Sequence, residues 1–450
     1  MDNAFSQSFT DSEKMSLITP APPKDHKNIA LIFFFLFGIS GWSAWDCCIA
    51  AFDFYDAKFK PDYDPEFTFG FVFNWPLMLG NILLLYLASR VSLSVRIYTA
   101  YAVIVFACYS MPLLSEYLTQ KSVAWYLLLL LVVINGFGNA FVQGGLFGYA
   151  SMFPQKYMIA MMVGQGVNGM TLNSVKMILI VFLPPDAEDP DNPNAFYNSL
   201  IFVGIFSIIL IGCSICYFIL RRMEFSKYYV SKANKQGSYE DSEMSENRGA
   251  KIFGIAPTDE NTDLLGKSSQ TDSSNIPSSL WTIYKKVFYM GLQATIAFGI
   301  TFLIYPGNLL DTDLDFLKNS SSYKAWFNIL MITIFSFGDT VGRFLAGPLK
   351  VFNKDTLIIF SVGRIIFVPT TVLIQKEIAP DFLFCADWFR IIHIFLFAAT
   401  NGYNVSLAMP LGPEQVKDSD KERAAMIMNF HLIAGVCIGT VLQSFAMSHI

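Results

Sequence analysis

Two charged residues sit where an apolar chain should exclude them. Within the run from Ala325 to Leu349, Asp339 and Arg343 are one helical turn apart, acid before base. That is the favourable order for an i, i+4 pair. Ser336 extends the same face, and Gly338, Gly342 and Ala346 form a neighbouring ridge of small residues that lets a second helix approach closely. The run is long enough to cross a bilayer, which takes ~20 residues, and each charge at mid-membrane costs ~3 kcal/mol on insertion scales. Such a pair either staples two helices together or forms the charged wall of a polar cavity. Intramembrane charges commonly line pathways, so the cavity is the expectation.

Other apolar runs repeat the design. Asn135, Asn139 and Gln143 fall at i, i+4 and i+8, beside a ridge of Gly136, Ala140, Gly144 and Gly148. Packing alone gains only ~0.6 kcal/mol per interhelical hydrogen bond. An amide offers a donor and an acceptor side by side, which suits the edge of a heterocycle. The next run adds Gly164-Gln-Gly166, Asn168, Thr171 and Asn173, and the first run brings Trp42, Trp45 and Asp46. A base stacked on an aromatic ring gains ~1–3 kcal/mol. Further on lie Arg364, Pro369, expected to kink its helix, and Asn401-Gly-Tyr403-Asn404 followed by Gly412-Pro413. His393 and His431 are isolated and read as packing residues. The sequence has no nucleophile with a base, no phosphate loop, no dinucleotide fingerprint and no metal-ligand spacing, so neither an enzyme nor a cofactor is expected.

The elements that must position these residues are membrane helices. The chain has 450 residues, 53% hydrophobic and only 15% charged, with 43 Phe. Soluble domains carry roughly a quarter charged residues. Apolar runs near 28–52, 69–89, 95–114, 123–151, 157–184, 197–220, 286–308, 325–349, 356–375, 386–411 and 424–447 predict an all-α polytopic protein with eleven transmembrane helices. A polar stretch, 223–280, reads as a disordered cytoplasmic loop between a six-helix bundle (28–222) and a five-helix bundle (281–450). Two bundles joined this way suit alternating access. Lys and Arg gather beside Arg90, Arg96, Arg221, Arg222, Lys350, Lys354, Lys417 and Lys421. The opposite loops hold only Lys58, Lys60, Lys121, Lys318, Lys324 and Lys376, with acidic clusters at 186–191 and 311–315. This asymmetry places the N-terminal tail (1–27) in the cytoplasm and the C-terminus outside or in a lumen. The tail lacks the apolar core of a cleavable signal, so the first span would direct insertion. A sequon at Asn319-Ser-Ser321 falls on an outer loop. Dileucine patterns at Glu13–Ile18 and Glu260–Leu265 add an endosomal or lysosomal address to the plasma membrane as candidates. The seven Cys mostly sit in apolar runs and read as buried hydrophobes.

In this order, the motifs resemble the equilibrative nucleoside transporter family. The resemblance rests on Gly38–Tyr55, Gln143-Gly-Gly-Leu-Phe-Gly148, Gly164-Gln-Gly166, Asp339-Thr-Val-Gly-Arg343, Arg364–Pro369 and Asn401-Gly-Tyr403 with Gly412-Pro413. It implies a pseudo-symmetric, major-facilitator-like fold. It also implies facilitated diffusion of nucleosides or nucleobases by rocking-bundle alternating access, through a carrier that works as a monomer. Trp45 would stack the base, Gln143 would bond its edge, Asp339 and Arg343 would hold the ribose hydroxyls, and Ile49 and Val436 would be apolar lining. Three positions depart from the family: Asp46 stands where Asn is usual, Ser336 replaces another Asn, and Lys176 replaces a small apolar residue. Asp46 and Lys176 lie at similar depth, each ~28 Å along its helix, which predicts a pair unless Lys176 snorkels to the interface. Asp46 also opens two alternatives on the same fold, a proton-coupled symporter or an organic-cation carrier.

Overall fold

The computed structural model describes residues 22–88, 90–183, 193–233, 279–305, 314–315, 323–378 and 381–447. The N-terminal tail to residue 21, the acidic cluster at 186–191, most of the 311–315 cluster, the sequon and both dileucine patterns lie outside the described residues.

Every regular element among the described residues is helical. The first long segment is broken twice: α1 (Ile29–Ser40), α2 (Ser43–Ala50) and α3 (Phe52–Phe59) are separated at Gly41-Trp42 and at Ala51. The close approach of a neighbour explains the small residues before the first break. A Cβ on Gly38 would lie 2.0 Å from the Met161 carbonyl oxygen. Then follow α4 (Pro65–Leu87), α5 (Leu93–Tyr117), α6 (Lys121–Ser151), α7 (Gln155–Phe182) and α8 (Asn194–Leu220). After the central polar stretch come α9 (Leu280–Ile304), α10 (Tyr323–Leu345), α11 (Leu357–Gly363), α12 (Phe367–Gln375), α13 (Asp387–Leu411) and α14 (Lys421–Met447).

Among the described residues, nine helical segments are long and apolar enough to cross a membrane. Of the eleven expected spans, α7 and α10 are not among these nine. Both are long, at 28 and 23 residues, and they carry much of the site's polar chemistry.

Of two expectations about the chain's course, the kink ahead of Pro369 is met and the extent of the central loop needs correcting. The break in the α11–α12 span is a single 3-10 turn at Arg364–Ile366, upstream of Pro369. A proline ring disturbs the carbonyl four residues before it, which places the irregular turn ahead of the proline. The central loop is shorter than 223–280, because residues 224–233 are helical. There Phe225 and Tyr229 pack on Phe153, and Ser226 shares a hydrogen bond of 2.5 Å with Tyr149. This short apolar face was masked by the polar composition around it.

Helices on either side of the central stretch meet along two seams. On one, α7 packs against α10; on the other, α4 and α6 pack against α14.

Candidate substrate-binding site

The strongest polar group is built on α10. Arg343 Nε donates to Asp339 Oδ2 at 2.6 Å, and the two residues are 4% and 7% exposed. Helical periodicity alone sets this pair, since i and i+4 share a face. The other carboxylate oxygen accepts from Asn401 Nδ2 of α13 at 2.9 Å. Asn401 Oδ1 in turn accepts from Thr301 of α9 at 2.8 Å, and Thr301 accepts from Arg364 Nη2 at 2.9 Å. Arg364 also donates to the carbonyls of Ala297 and Phe397 and to Thr400, and lies 5.3 Å from the Phe397 ring centroid. Asp339 thus has two donors, one of them cationic, which is what a buried carboxylate requires. Small residues bring the helices close enough: a Cβ on Gly342 would fall 1.9 Å from the Ala399 carbonyl oxygen of α13.

Arg343 reaches across the seam to α7, donating to the Met162 carbonyl at 3.1 Å and to Gln165 Oε1 at 3.3 Å. Further along the same helix, Asn173 donates to Ser336 at 3.1 Å. The expected cavity wall is therefore also a joint between the two halves.

Asp46, 5% exposed on α2, accepts a hydrogen bond from Asn168 Nδ2 of α7. The expected Asp46–Lys176 pair does not form. Lys176 Nζ instead lies 3.5 Å from Asp53 on α3. Depth along a helix says nothing about azimuth, and the breaks around α2 turn Asp46 towards Asn168.

The amide stripe of α6 divides by function. Asn135 is held by α5, donating to Met111 Sδ at 3.2 Å and accepting from Cys108. Asn139 and Gln143 are fully buried, yet neither the oxygen nor the nitrogen of either amide has a hydrogen-bond partner. An unmade hydrogen bond on a buried polar atom costs ~1–3 kcal/mol. Left unpaired, these amides offer donors and acceptors to a guest molecule. Beside them, Asn429 of α14 donates to Asn81 of α4 at 2.6 Å.

Trp45 is half-buried, with its ring 5.0 Å from Phe73 and 6.5 Å from Phe52. Ile49 is half-buried on the same helix, and Val436 is buried on α14. Hydrogen bonds thus unite Asp339 and Arg343 with Gln165, Asn401, Thr301 and Arg364. Trp45, Ile49, Gln143 and Val436 make none to that network. His393 meets Thr370 at 2.8 Å, as a packing histidine would; His431 meets Thr295 at 3.1 Å through Nδ1, while its buried Nε2 has no hydrogen-bond partner. Sequence reasoning missed Thr301, Asn81 and Asn429, each a lone polar residue in an apolar run with no periodic partner.

The sequence model described as Nucleoside transporter matches residues 128–449. The chain belongs to that family. Among its relatives, equilibrative nucleotide transporter 1 of Arabidopsis thaliana is 24% identical over 439 residues, covering 95% of this chain and 88% of the relative. Equilibrative nucleoside transporter 2 of Homo sapiens is 26% identical over 456 residues, covering 94% and 97%. Among solved structures, a proton:xylose symporter of the major facilitator superfamily superposes with a TM-score of 0.58 at 14% identity, covering 94% of this nucleoside transporter family member and 88% of the symporter. The Escherichia coli fucose:proton symporter gives 0.54 at 12% identity, covering 93% and 91%. The fold of this family member is therefore that of the major facilitator superfamily, in an integral membrane protein.

Proposed function

We infer that this protein carries nucleosides or nucleobases across a membrane by alternating access. Bundles 28–222 and 281–450 rock about the two seams, and α7 and α10 complete eleven spans. The observation that carries the reading is the pair of fully buried, unpartnered amides Asn139 and Gln143, in a chain of the nucleoside transporter family. Their paired donors and acceptors match the edge of a base. Trp45 supplies a ring face, Ile49 and Val436 apolar lining, and Asp339 and Arg343 charge-assisted bonds to ribose hydroxyls. The substrate is bound and released without covalent chemistry, so the protein is a carrier and not an enzyme. Between compartments of equal pH it moves the substrate down its gradient, as a monomer, with the N-terminus in the cytoplasm. The plasma membrane is the proposed address.

The polar ties between the halves support one conformation. At the Lys/Arg-rich end, Arg96 bonds Glu422 at 2.7 Å, Lys232 bonds Asp418 at 3.0 Å and Lys350 bonds Gln155 at 2.8 Å. The first and third join one half to the other, and the second joins the helical stretch 224–233, packed on Phe153 of the first half, to the second half. At the opposite end the described pairs Lys58–Glu116, Lys121–Asp62, Lys176–Asp53 and Arg390–Glu377 each stay within one half. This pattern suits a carrier closed towards the cytoplasm. Purified protein in liposomes should take up tritiated adenosine, uridine, adenine or uracil saturably. Uptake indistinguishable from empty liposomes for all four would overturn the reading.

A further inference from the structure

Asp46 and Asp339 are buried to the same degree but compensated differently. Asp339 is balanced by Arg343 and Asn401. Asp46 has one neutral partner, the Asn168 amide, and no Lys, Arg or His within ion-pair distance among the described residues. The nearby cations are committed: Lys176 to Asp53, Arg343 to Asp339, and Arg364 to carbonyls and hydroxyls. An isolated carboxylate out of water is costly, and taking up a proton removes that cost. Asn168 supplies the complementary feature. It is 2% exposed and its Oδ1 has no hydrogen-bond partner, while its Nδ2 already donates to Asp46. A carboxylic acid offers an O–H donor that a carboxylate lacks. The protonated acid and this amide can therefore exchange two hydrogen bonds, satisfying the orphan acceptor.

We propose that Asp46 is a proton-binding site and that the carrier moves a proton together with its substrate. This rests on the carrier reading above and adds a second cargo. On the side open to solvent, the Asp46 carboxylate takes one proton from water, forming an O–H bond. After the bundles rock, that bond breaks and the proton passes to water on the other side, restoring the carboxylate. At equal pH such a carrier only equilibrates its substrate, which is facilitated diffusion. Under a pH gradient it accumulates the substrate.

The surroundings connect this site to Asp339. Tyr305, at the end of α9, lies within electrostatic reach of both carboxylates. Cys47 and Cys48 follow Asp46 on its own helix within its electrostatic reach, and Cys108 of α5 lies beside them. Charged groups on the other elements packed against α2 are engaged elsewhere: Asp56 with Lys60, Lys58 with Glu116, Arg96 with Glu422, Lys121 with Asp62, and Lys156 over the Tyr157 ring. The α8 helix has no charged residue, and α4 has none among its described side chains. Among the described residues no group of three His, Cys, Asp or Glu could hold a metal ion.

The test uses full-length protein in liposomes with the membrane potential clamped at zero. Counterflow of tritiated adenosine, uridine, adenine and uracil at equal pH first reports carrier activity; none with any compound overturns the carrier reading and this inference together. With the lumen one pH unit above the exterior, the wild type should accumulate the active compound by up to about tenfold, the equivalent of one pH unit at one proton per substrate. Asp46→Asn should exchange substrate but settle at a ratio of one, a thermodynamic endpoint that a structural defect does not move. Wild-type exchange that stays at a ratio of one, accumulation by Asp46→Asn equal to wild type, or accumulation driven instead by a sodium gradient would each overturn the proposal. If Asp46→Asn does not exchange, lumenal pyranine decides: substrate entry should acidify the lumen for wild type and Asp46→Glu, and a flat trace for wild type refutes coupling.

Discussion

Arg96 of α5 donates from Nη2 to Glu422 Oε1 of α14 at 2.7 Å, joining residues 326 positions apart in the chain. Arg96 is 3% exposed and Glu422 about a quarter exposed, so the bond is partly shielded from water. Gly148 of α6 packs against the same Glu422, which puts the tie inside the seam between the halves.

Breaking that tie should release the Lys/Arg-rich end. Arg96→Ala and Glu422→Ala should each raise the labelling rate of a cysteine placed at Met426, and the charge swap Arg96→Glu with Glu422→Arg should bring it back towards wild type. Coupling in such pairs is read by double-mutant cycles, with ~0.5–3 kcal/mol expected for residues in contact. Additive single effects would show that the pair is incidental to closure.

The second tie at this end should be insensitive to mild acidification. Burial works to raise the Asp418 carboxyl pKa, but hydrogen bonds and charge from Lys421 and Lys232 outweigh it and hold it below the usual carboxylate value. Lys232 is raised, chiefly by its hydrogen bond to Asp418. A depressed acid stabilises the fold above its unfolded pKa of ~3.9 and loses that contribution as pH falls through the folded value. The effect of Asp418→Asn on thermal unfolding should therefore be the same at pH 5.5 and pH 7.5. A difference confined to pH 7.5 would contradict the assignment.

Asp339→Asn should be the most damaging single substitution in the site. It leaves Arg343 buried without its carboxylate, and removing one partner of a buried pair costs ~3–5 kcal/mol. Detergent-solubilised variant should unfold at a clearly lower temperature, with uptake lost. Asp339→Asn combined with Arg343→Met, which removes both charges, should recover much of the stability while uptake stays low. Recovery of uptake as well would make the pair a staple and not a binding element.

Gln143→Ala and Asn139→Ala should behave in the opposite way. Neither amide has a protein partner, so truncation removes no internal bond. Thermal stability should hold or rise, while the half-saturation concentration for uptake rises ~10-fold, the equivalent of one bond to substrate at ~1.4 kcal/mol. Lowered stability with unchanged half-saturation would place these amides in packing.

What the sequence disclosed depended on range. The Asp339–Arg343 pair was legible because helical periodicity fixes the azimuth of residues four apart. The small-residue ridges of α6 and α10 were legible for the same reason, and Gly342 does meet α13 in close contact. Helix type followed from apolar length. The Asp46–Lys176 expectation failed because it used depth without azimuth, and the breaks around α2 reset the azimuth of Asp46. Asn401, Thr301 and Arg364 come from three helices, and their junction is a property of packing. Arg96–Glu422 could not be read from the sequence, since the two residues lie 326 positions apart and no periodicity relates them.

The seam between α7 and α10 bears on how the protein is made. Gln165 and Asn173 of α7 find their partners in Arg343 and Ser336, which the ribosome reaches far later. Until then a nascent chain holds a half-hydrophilic rod that lipid solvates poorly. Biogenesis must shelter that rod, in the insertion machinery or behind a membrane chaperone, until its counterpart emerges. Release of a chain truncated before α10 would expose these amides to lipid and mark it for degradation.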